Sequence, residues 1–196
     1  MKIAAVVPAS GLSRRMGREK VLLPFRGATI LETILESLAA AGVSERVAVV
    51  RPDLSEAADR ARRRGAVVVT NPHPEGEMIV SIRLGLGALS PETDAVFVWP
   101  ADHPAVSAST LTLLAAVADP TRALIPTYLE RRGHPAIIGK ALLPDIALIP
   151  PNEGLRALYR KRRDSVVEIP MKDPGVVKNI DTPADYEELL GEDSRH

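Results

Sequence analysis

An α/β domain built on a mostly parallel sheet with a mixed edge is what the sequence predicts, and three observations predict it. Short valine-rich apolar runs alternate with stretches of helical periodicity, and such alternation pairs strands in parallel through right-handed crossovers. At 196 residues the chain suits one domain, and no glycine-serine linker or internal repeat divides it. Hydrophobic residues at 45% and charged ones at 26% match a folded globular domain rather than a disordered or fibrous one.

The first apolar run, 3–7, is continuous and reads as a strand buried on both faces. After a long loop, Ile30, Leu31, Ile34, Leu35 and Leu38 recur at helical spacing, with Thr29 placed to cap the helix and Gly42 to stop it. The unit then repeats: strand 47–50, charged helix 55–64, strand 66–69, helix 78–89, strand 95–99, helix 110–117, strand 124–125. Beyond Pro126 the alternation weakens. Segments 128–131 and 134–138, joined around Gly133, read as a hairpin that adds the antiparallel component at the sheet edge. Helices at 141–146 and 154–161, a strand at 166–169, an extended piece at 176–180 and a helix at 183–190 complete the domain, which is expected to span 1–191. The polar tail 192–196 is expected to fray.

Composition excludes several functions. With no cysteine there is no disulfide framework, thiolate metal site or cysteine nucleophile. Basic and acidic residues balance at 25 each, and only six side chains are aromatic (one Trp, three Tyr, two Phe). Neither an overall positive field nor stacking platforms are provided for nucleic acid. No apolar run approaches the roughly 20 residues that span a bilayer, and the amino end is too short for a secretory signal, so a cytoplasmic location is expected. The four histidines lack zinc-motif spacing, and no G-x-S-x-G elbow occurs. The basic runs 62–64 and 160–163 read as solvated helix faces.

The chemistry concentrates in three places. The loop Pro8-Ala9-Ser10-Gly11-Leu12-Ser13-Arg14-Arg15-Met16-Gly17-Arg18-Glu19-Lys20 follows the first strand, where an open parallel sheet binds ligands. Small residues let the backbone approach a bound group, and the cations offset phosphate charge. Neither the Walker spacing nor G-x-G-x-x-G is present, and the residues alone leave open an exposed loop whose arginines are simply solvated. The second place is Asp102, at the end of the strand 95–99. A strand-end aspartate often caps the next helix, but here Pro104 and Ser107 supply turn and cap without it. The third is Asp181, ahead of Thr182, Pro183 and Asp185, which read as cap, first helical residue and capping-box acid.

Gly11-Leu12-Ser13-Arg14-Arg15-Met16-Gly17, then Lys20 and Leu22-Leu23-Pro24, resembles the amino-terminal motif of MobA-like NTP transferases, A-A-G-x-S-x-R-M-G-x-x-K-x-L-L-P. The likeness continues in order along nearly the whole chain: a G-M-x-x-S-L-x-x-G-L-like segment at 76–86 with Glu77 inserted, Asp102-His103-Pro104, Gly133-His134-Pro135, and Asn179-Ile180-Asp181-Thr182-Pro183. It implies a single Rossmann-like, three-layer α/β domain of the nucleotide-diphospho-sugar transferase type. It further implies that Pro8, Ala9, Ser10 and Gly11 hold a nucleotide's base and ribose, Arg15 and Lys20 its triphosphate, and Asp102 a Mg²⁺ ion with Asp181 as second ligand. Arg15, Lys20 and Asp102 are then the catalytic set. Asn71, at a strand end, and Ser81, near a helix start, are further candidates for touching the nucleotide, whereas Met78, Ile79, Ile82 and Leu86 read as core at helical spacing. Gly133 and His134 lie toward the acceptor side in the family and read equally as a tight turn.

The reaction implied is transfer of an NMP group from an NTP to a phosphate-bearing acceptor, with release of diphosphate. A side chain at Ser10 is nearer the cytidylyl members than the guanylyl ones, which carry Ala-Gly-Gly. CTP and a molybdopterin-type acceptor are therefore the expected substrates, and a cofactor-receiving enzyme is a candidate partner. Asn179 departs from an acid common among cytidylyl members. The alternatives are transfer to a sugar phosphate or other small phosphate, and a non-catalytic nucleotide-binding protein that delivers a cofactor.

Overall fold

The computed structural model describes residues 1–73, 75 and 77–193; of the expected frayed tail, 194–196 lie outside the described residues, as does the Gly76 of the motif at 76–86. Strand β1 (Ile3–Pro8) is followed by a loop, a 3₁₀ turn (Lys20–Leu22), a small hairpin of β2 (Pro24–Phe25) and β3 (Ala28–Thr29), and helix α1 (Ile30–Ala40). Then come β4 (Glu45–Val50), α2 (Ser55–Arg63), β5 (Val67–Thr70), α3 (Met78–Gly87), β6 (Ala95–Val98), α4 (Ala108–Ala116) and β7 (Ala123–Tyr128). The remaining elements are β8 (Arg131–Arg132), β9 (Ala136–Gly139), α5 (Leu143–Ala147), α6 (Arg156–Lys161), β10 (Val166–Pro170) and α7 (Pro183–Asp193).

The strand order is β10-β7-β9-β6-β1-β4-β5, with β8 beside β7. β1 pairs in parallel with β4 and β6, and β10 with β7, while β9 runs antiparallel to both β6 and β7. The antiparallel component was expected at an edge; apart from the short β8, it lies inside the sheet. β9 can be buried there because Ala136, Ile137 and Ile138 are apolar toward both faces.

Along β1 the side chains alternate between two cores. Ala5 and Val7 join Leu31, Ile34, Ala57, Leu111 and Leu114 on one face, and Val6 joins Ile79, Ile82, Ile146 and Leu158 on the other. This is the three-layer α/β arrangement expected. Gly85 makes the α3 contact close, since a Cβ there would lie 2.4 Å from Val6 Cγ1. Thr29 caps α1 through a reciprocal capping box with Glu32.

Three local expectations are corrected. The hairpin turns at Leu129 and Glu130, both at positive φ, and joins β7 to β8 rather than pivoting on Gly133. Pro126 has no N–H, and there β7 exchanges β9 for β8 as partner. Residues 176–180 are not a strand: Pro174–Val177 forms a 3₁₀ turn, tied by His134 N–H to Val176 O at 2.7 Å. Asp173 pins that turn by accepting from the Ser107 and Gly175 amides and the Thr110 hydroxyl. Helix α7 continues past 190 to Asp193.

Candidate active site

β1 and β6 are parallel neighbours, so the loops after them emerge at one end of the sheet. Ala9 N–H donates to Val49 O and Ala101 N–H to Pro8 O, holding both loop starts against the strand ends. The first loop then curls. Ser13, at φ 45°, accepts from the Met16 amide through its carbonyl and from the Lys20 amide through Oγ, and buried Met16 and Val21 anchor the curl in the core. A side chain that the sequence reading passed over supports it from below. Arg51, only 5% exposed at the end of β4, donates to Gly11 O at 2.8 Å and pairs with Asp53 and Glu19. Burial pulls its pKa down, but the two carboxylates outweigh this and raise it.

Lys20 aims its ammonium at Asp181, with Nζ 3.3 Å from Oδ1; Arg15 Nη2 reaches the same oxygen at 3.2 Å. Asn179 donates to Oδ2 at 2.9 Å. Asp181 is placed by the carboxy-terminal segment, where Ile180 N–H donates to Asp102 O at 2.8 Å and Asp185 accepts from the Asp181 and Thr182 amides. Asp102 Oδ1 meets His103 Nδ1 at 2.8 Å, and the backbone of His103 is fixed by the Trp99 indole N–H. Burial pushes the Asp102 carboxyl upward. The His103 hydrogen bond and charge, with Lys20 and His134, prevail and hold it below the usual carboxylate range.

A cavity of 340 Å³ is lined by Pro8, Ala9, Ser10, Gly11, Ser13, Lys20, Ser81, Ala101 and Asp102, with Val21, Glu77 and Met78 completing the wall. Lys20 after β1 and Asp102 after β6 thus share one chamber. Arg15 and Asp181 join it through Lys20 rather than as lining. Asn71 does not reach the cavity. It lies 1% exposed behind the wall and donates to Ser81 Oγ at 3.0 Å and Ser10 Oγ at 3.4 Å, while the two hydroxyls meet at 2.7 Å. The triangle clips α3 to the loop, which gives Asn71 a positioning role in the wall.

A second cavity of 1460 Å³ adjoins, sharing Glu77 and Met78 with the first, and Gly133 and His134 line it. Met78 is therefore exposed at 45% rather than core, and Leu86 is only half-buried, whereas Ile79 and Ile82 are buried as expected. The run 160–163 is likewise not only a solvated face. Lys161 and Arg162 pair with Asp145, but Arg160 and Arg163 line the large cavity. Gly133 is required by close approach, since a Cβ would fall 2.2 Å from Val176 O.

For a divalent cation the donor set is two carboxylates, and among the described residues no group of three His, Asp or Glu gathers to hold a metal. Two carboxylates plus substrate phosphates is how Mg²⁺ is usually held. Asp102 Oδ2 accepts no hydrogen bond from the described residues, and the side chain is one-quarter exposed at the chamber. Asp102 fits a hard, oxygen-preferring ion, and Asp181 would join it once Lys20 and Arg15 turn away from its carboxylate. Of the contributors missed in the sequence, Arg51 signalled itself as a charge directly after a run of apolar strand residues, and Ser13 sat in the motif. His103 offered no pattern beyond adjacency to Asp102.

Comparison with known proteins decides the family, because the model of the MobA-like NTP transferase domain matches residues 5–166. The chain belongs to that family. Among similar proteins, it is 31% identical to a probable molybdenum cofactor guanylyltransferase of Methanosarcina mazei, over 96% of this chain and 90% of that one. It is 28% identical to the nicotine blue oxidoreductase of Paenarthrobacter nicotinovorans, over 96% of each. It is 25% identical to the molybdenum cofactor cytidylyltransferase of Escherichia coli, over 94% of this chain and 93% of that one. A Mycobacterium tuberculosis protein solved as a manganese complex superposes with a TM-score of 0.81 at 25% identity, covering 97% of this chain and 99% of that one. The chain therefore carries a nucleotidyltransferase-type fold within a MobA-like family, and no helix among its described residues is long and apolar enough to cross a membrane.

Proposed function

We propose that the protein is a Mg²⁺-dependent nucleotidyltransferase that moves CMP from CTP to a phosphate-bearing acceptor of molybdopterin type. The single observation that supports this most is the sharing of one chamber by Lys20 and Asp102, from the loops after neighbouring parallel strands, with Asp181 against Lys20 and its neighbour Ile180 bonded to the Asp102 carbonyl. In this reading the backbone at Pro8, Ala9, Ser10 and Gly11 receives base and ribose, with Ser81 in the wall. An acceptor phosphate oxygen attacks the α-phosphorus, the bond to the β-phosphoryl oxygen breaks, and diphosphate leaves. Asp102 and Asp181 would hold Mg²⁺, which would supply neutralisation of phosphate charge.

The protein's own contribution is positioning and electrostatics. Lys20 and Arg15, held in the free protein by Asp181, turn to the triphosphate and stabilise the charge that builds toward the leaving group. His103 keeps one oxygen of Asp102 occupied and leaves the other free. Gly133 and His134, lining the adjoining cavity, face the acceptor. A cofactor-receiving enzyme is the natural partner for such a product.

Purified protein is incubated with each NTP, Mg²⁺ and molybdenum cofactor, and diphosphate release is measured. CTP is expected to lead. Lys20→Ala and Asp102→Ala are each expected to lower turnover about 10³-fold with the fold unchanged by circular dichroism. Near-wild-type turnover in either variant overturns the reading. Preference for GTP moves it to the guanylyl chemistry named for the M. mazei relative. Oxidation or reduction of an added substrate without diphosphate release replaces it with the oxidoreductase chemistry named for the P. nicotinovorans relative.

A further inference from the structure

The 1460 Å³ cavity has a floor and a rim of opposite character. Ile79, Ile82, Val98 and Ile125, each no more than 2% exposed, make an apolar floor with Tyr159 beside them. Five arginines stand around it: 131, 132, 156, 160 and 163. Two are neutralised, Arg132 by Glu168 and Arg160 by Glu153. Arg131, Arg156 and Arg163 have no carboxylate within ion-pair distance among the described residues. Arginines 51, 60, 62 and 64, by comparison, each pair with a carboxylate. At the inner end, beside Asp102 and His103, the Nδ1 of His134 is buried and has no hydrogen-bond partner. The cavity thus combines an unmet polar atom near the chamber of Lys20 and Asp102, an apolar floor, and exposed cations without carboxylate partners.

We propose that this cavity selects an acceptor that carries, besides its reacting phosphate, an apolar or ring-shaped body and a second anionic group. The inference rests on the transferase reading in taking the reacting phosphate to enter beside His134. Burying a ring on the floor is favourable in proportion to area, and unpaired guanidiniums are suited to carboxylate or phosphate oxygens at the rim. A sugar phosphate offers neither the apolar body nor the second charge.

The probes are 2-naphthyl phosphate and 6-carboxy-2-naphthyl phosphate, which differ only in the remote carboxylate. Each is titrated calorimetrically into the full chain, with and without CTP and Mg²⁺. The carboxylated probe is expected to bind about tenfold more tightly, because rim-exposed pairs each add a modest gain. The triple variant Arg131→Gln, Arg156→Gln, Arg163→Gln is expected to bind both probes alike and to keep its CTP affinity. A control that removes charge elsewhere, Arg62→Gln with Arg63→Gln, is expected to retain the preference. Equal binding of the two probes by the wild type, a preference that survives in the triple variant, or no binding of either probe overturns the proposal. Failure of the transferase reading looks different: no diphosphate release with any NTP, while the carboxylate preference and its arginine dependence persist.

Discussion

Arg51 shows how a residue outside the motif supports the loop after β1. Its guanidinium is buried, bonds Gly11 O, and spans Glu19 and Asp53. Replacing it with Met keeps the volume but leaves the Gly11 carbonyl without its donor and Glu19 and Asp53 without the cation they share, so the loop loses its tie to β4. The Arg51→Met variant is expected to raise the KM for NTP about tenfold while kcat changes much less, because the loop loses its pose before it loses Lys20. Steady-state kinetics with varied NTP provide the check, and an unchanged KM would show that the loop holds without this support. The motif cations were legible as a cluster because their density is unusual. Their meeting with Asp181, 161 positions away from Lys20, was implied by the family resemblance and by no local pattern.

At the scale of elements, the segment linking β8 to β9 carries the clearest constraint. Gly133 is buried where Val176 O already occupies the place of a Cβ, and Gly133 N–H donates to Pro126 O. Gly133→Ala forces the 3₁₀ turn Pro174–Val177 away, and through it the chain leading to Asp181. Overpacking of this kind costs about 1–3 kcal/mol. The variant is expected to lose that stability in urea denaturation and to lose activity as well. Wild-type stability would mean that the turn moves freely. The alternating strands and helices through α4 were readable from periodicity, since valine-rich runs buried on both faces leave few other solutions. The hairpin was misplaced because Leu129 and Glu130 adopt positive φ without the glycine or asparagine that usually marks such a turn.

Across the whole molecule, the group at the junction of the two cavities links acidity to stability. His134 is pulled from its ordinary 6.5 to about 4, first by burial, then by the neighbouring His103 charge, with Asp102 opposing and Arg156 adding to the fall. Between about 4 and 6.5 the unfolded chain takes up a proton that the folded one refuses. Stability is therefore full above that window and declines as pH falls through it, by about 3 kcal/mol in all. The depressed Asp102 carboxyl adds a further loss at still lower pH. Denaturation of metal-free protein at pH 7 and pH 5 is expected to show the decline, and His134→Gln to flatten it. Parallel profiles for variant and wild type would assign the acid loss elsewhere.

What the sequence determined by itself was whatever depends on near neighbours. The layers, the strand ends and helix caps, and the density of small and cationic residues after β1 all follow from periodicity and local hydrogen-bond chemistry. The tertiary structure decided what depends on distant segments meeting. Only strand order places Asp102 beside Lys20, puts the antiparallel β9 inside the sheet, and turns the arginines of β8 and α6 into the rim of one cavity. The pairing of strands far apart in sequence is set by the summed burial of both sheet faces, a quantity that no local pattern contains.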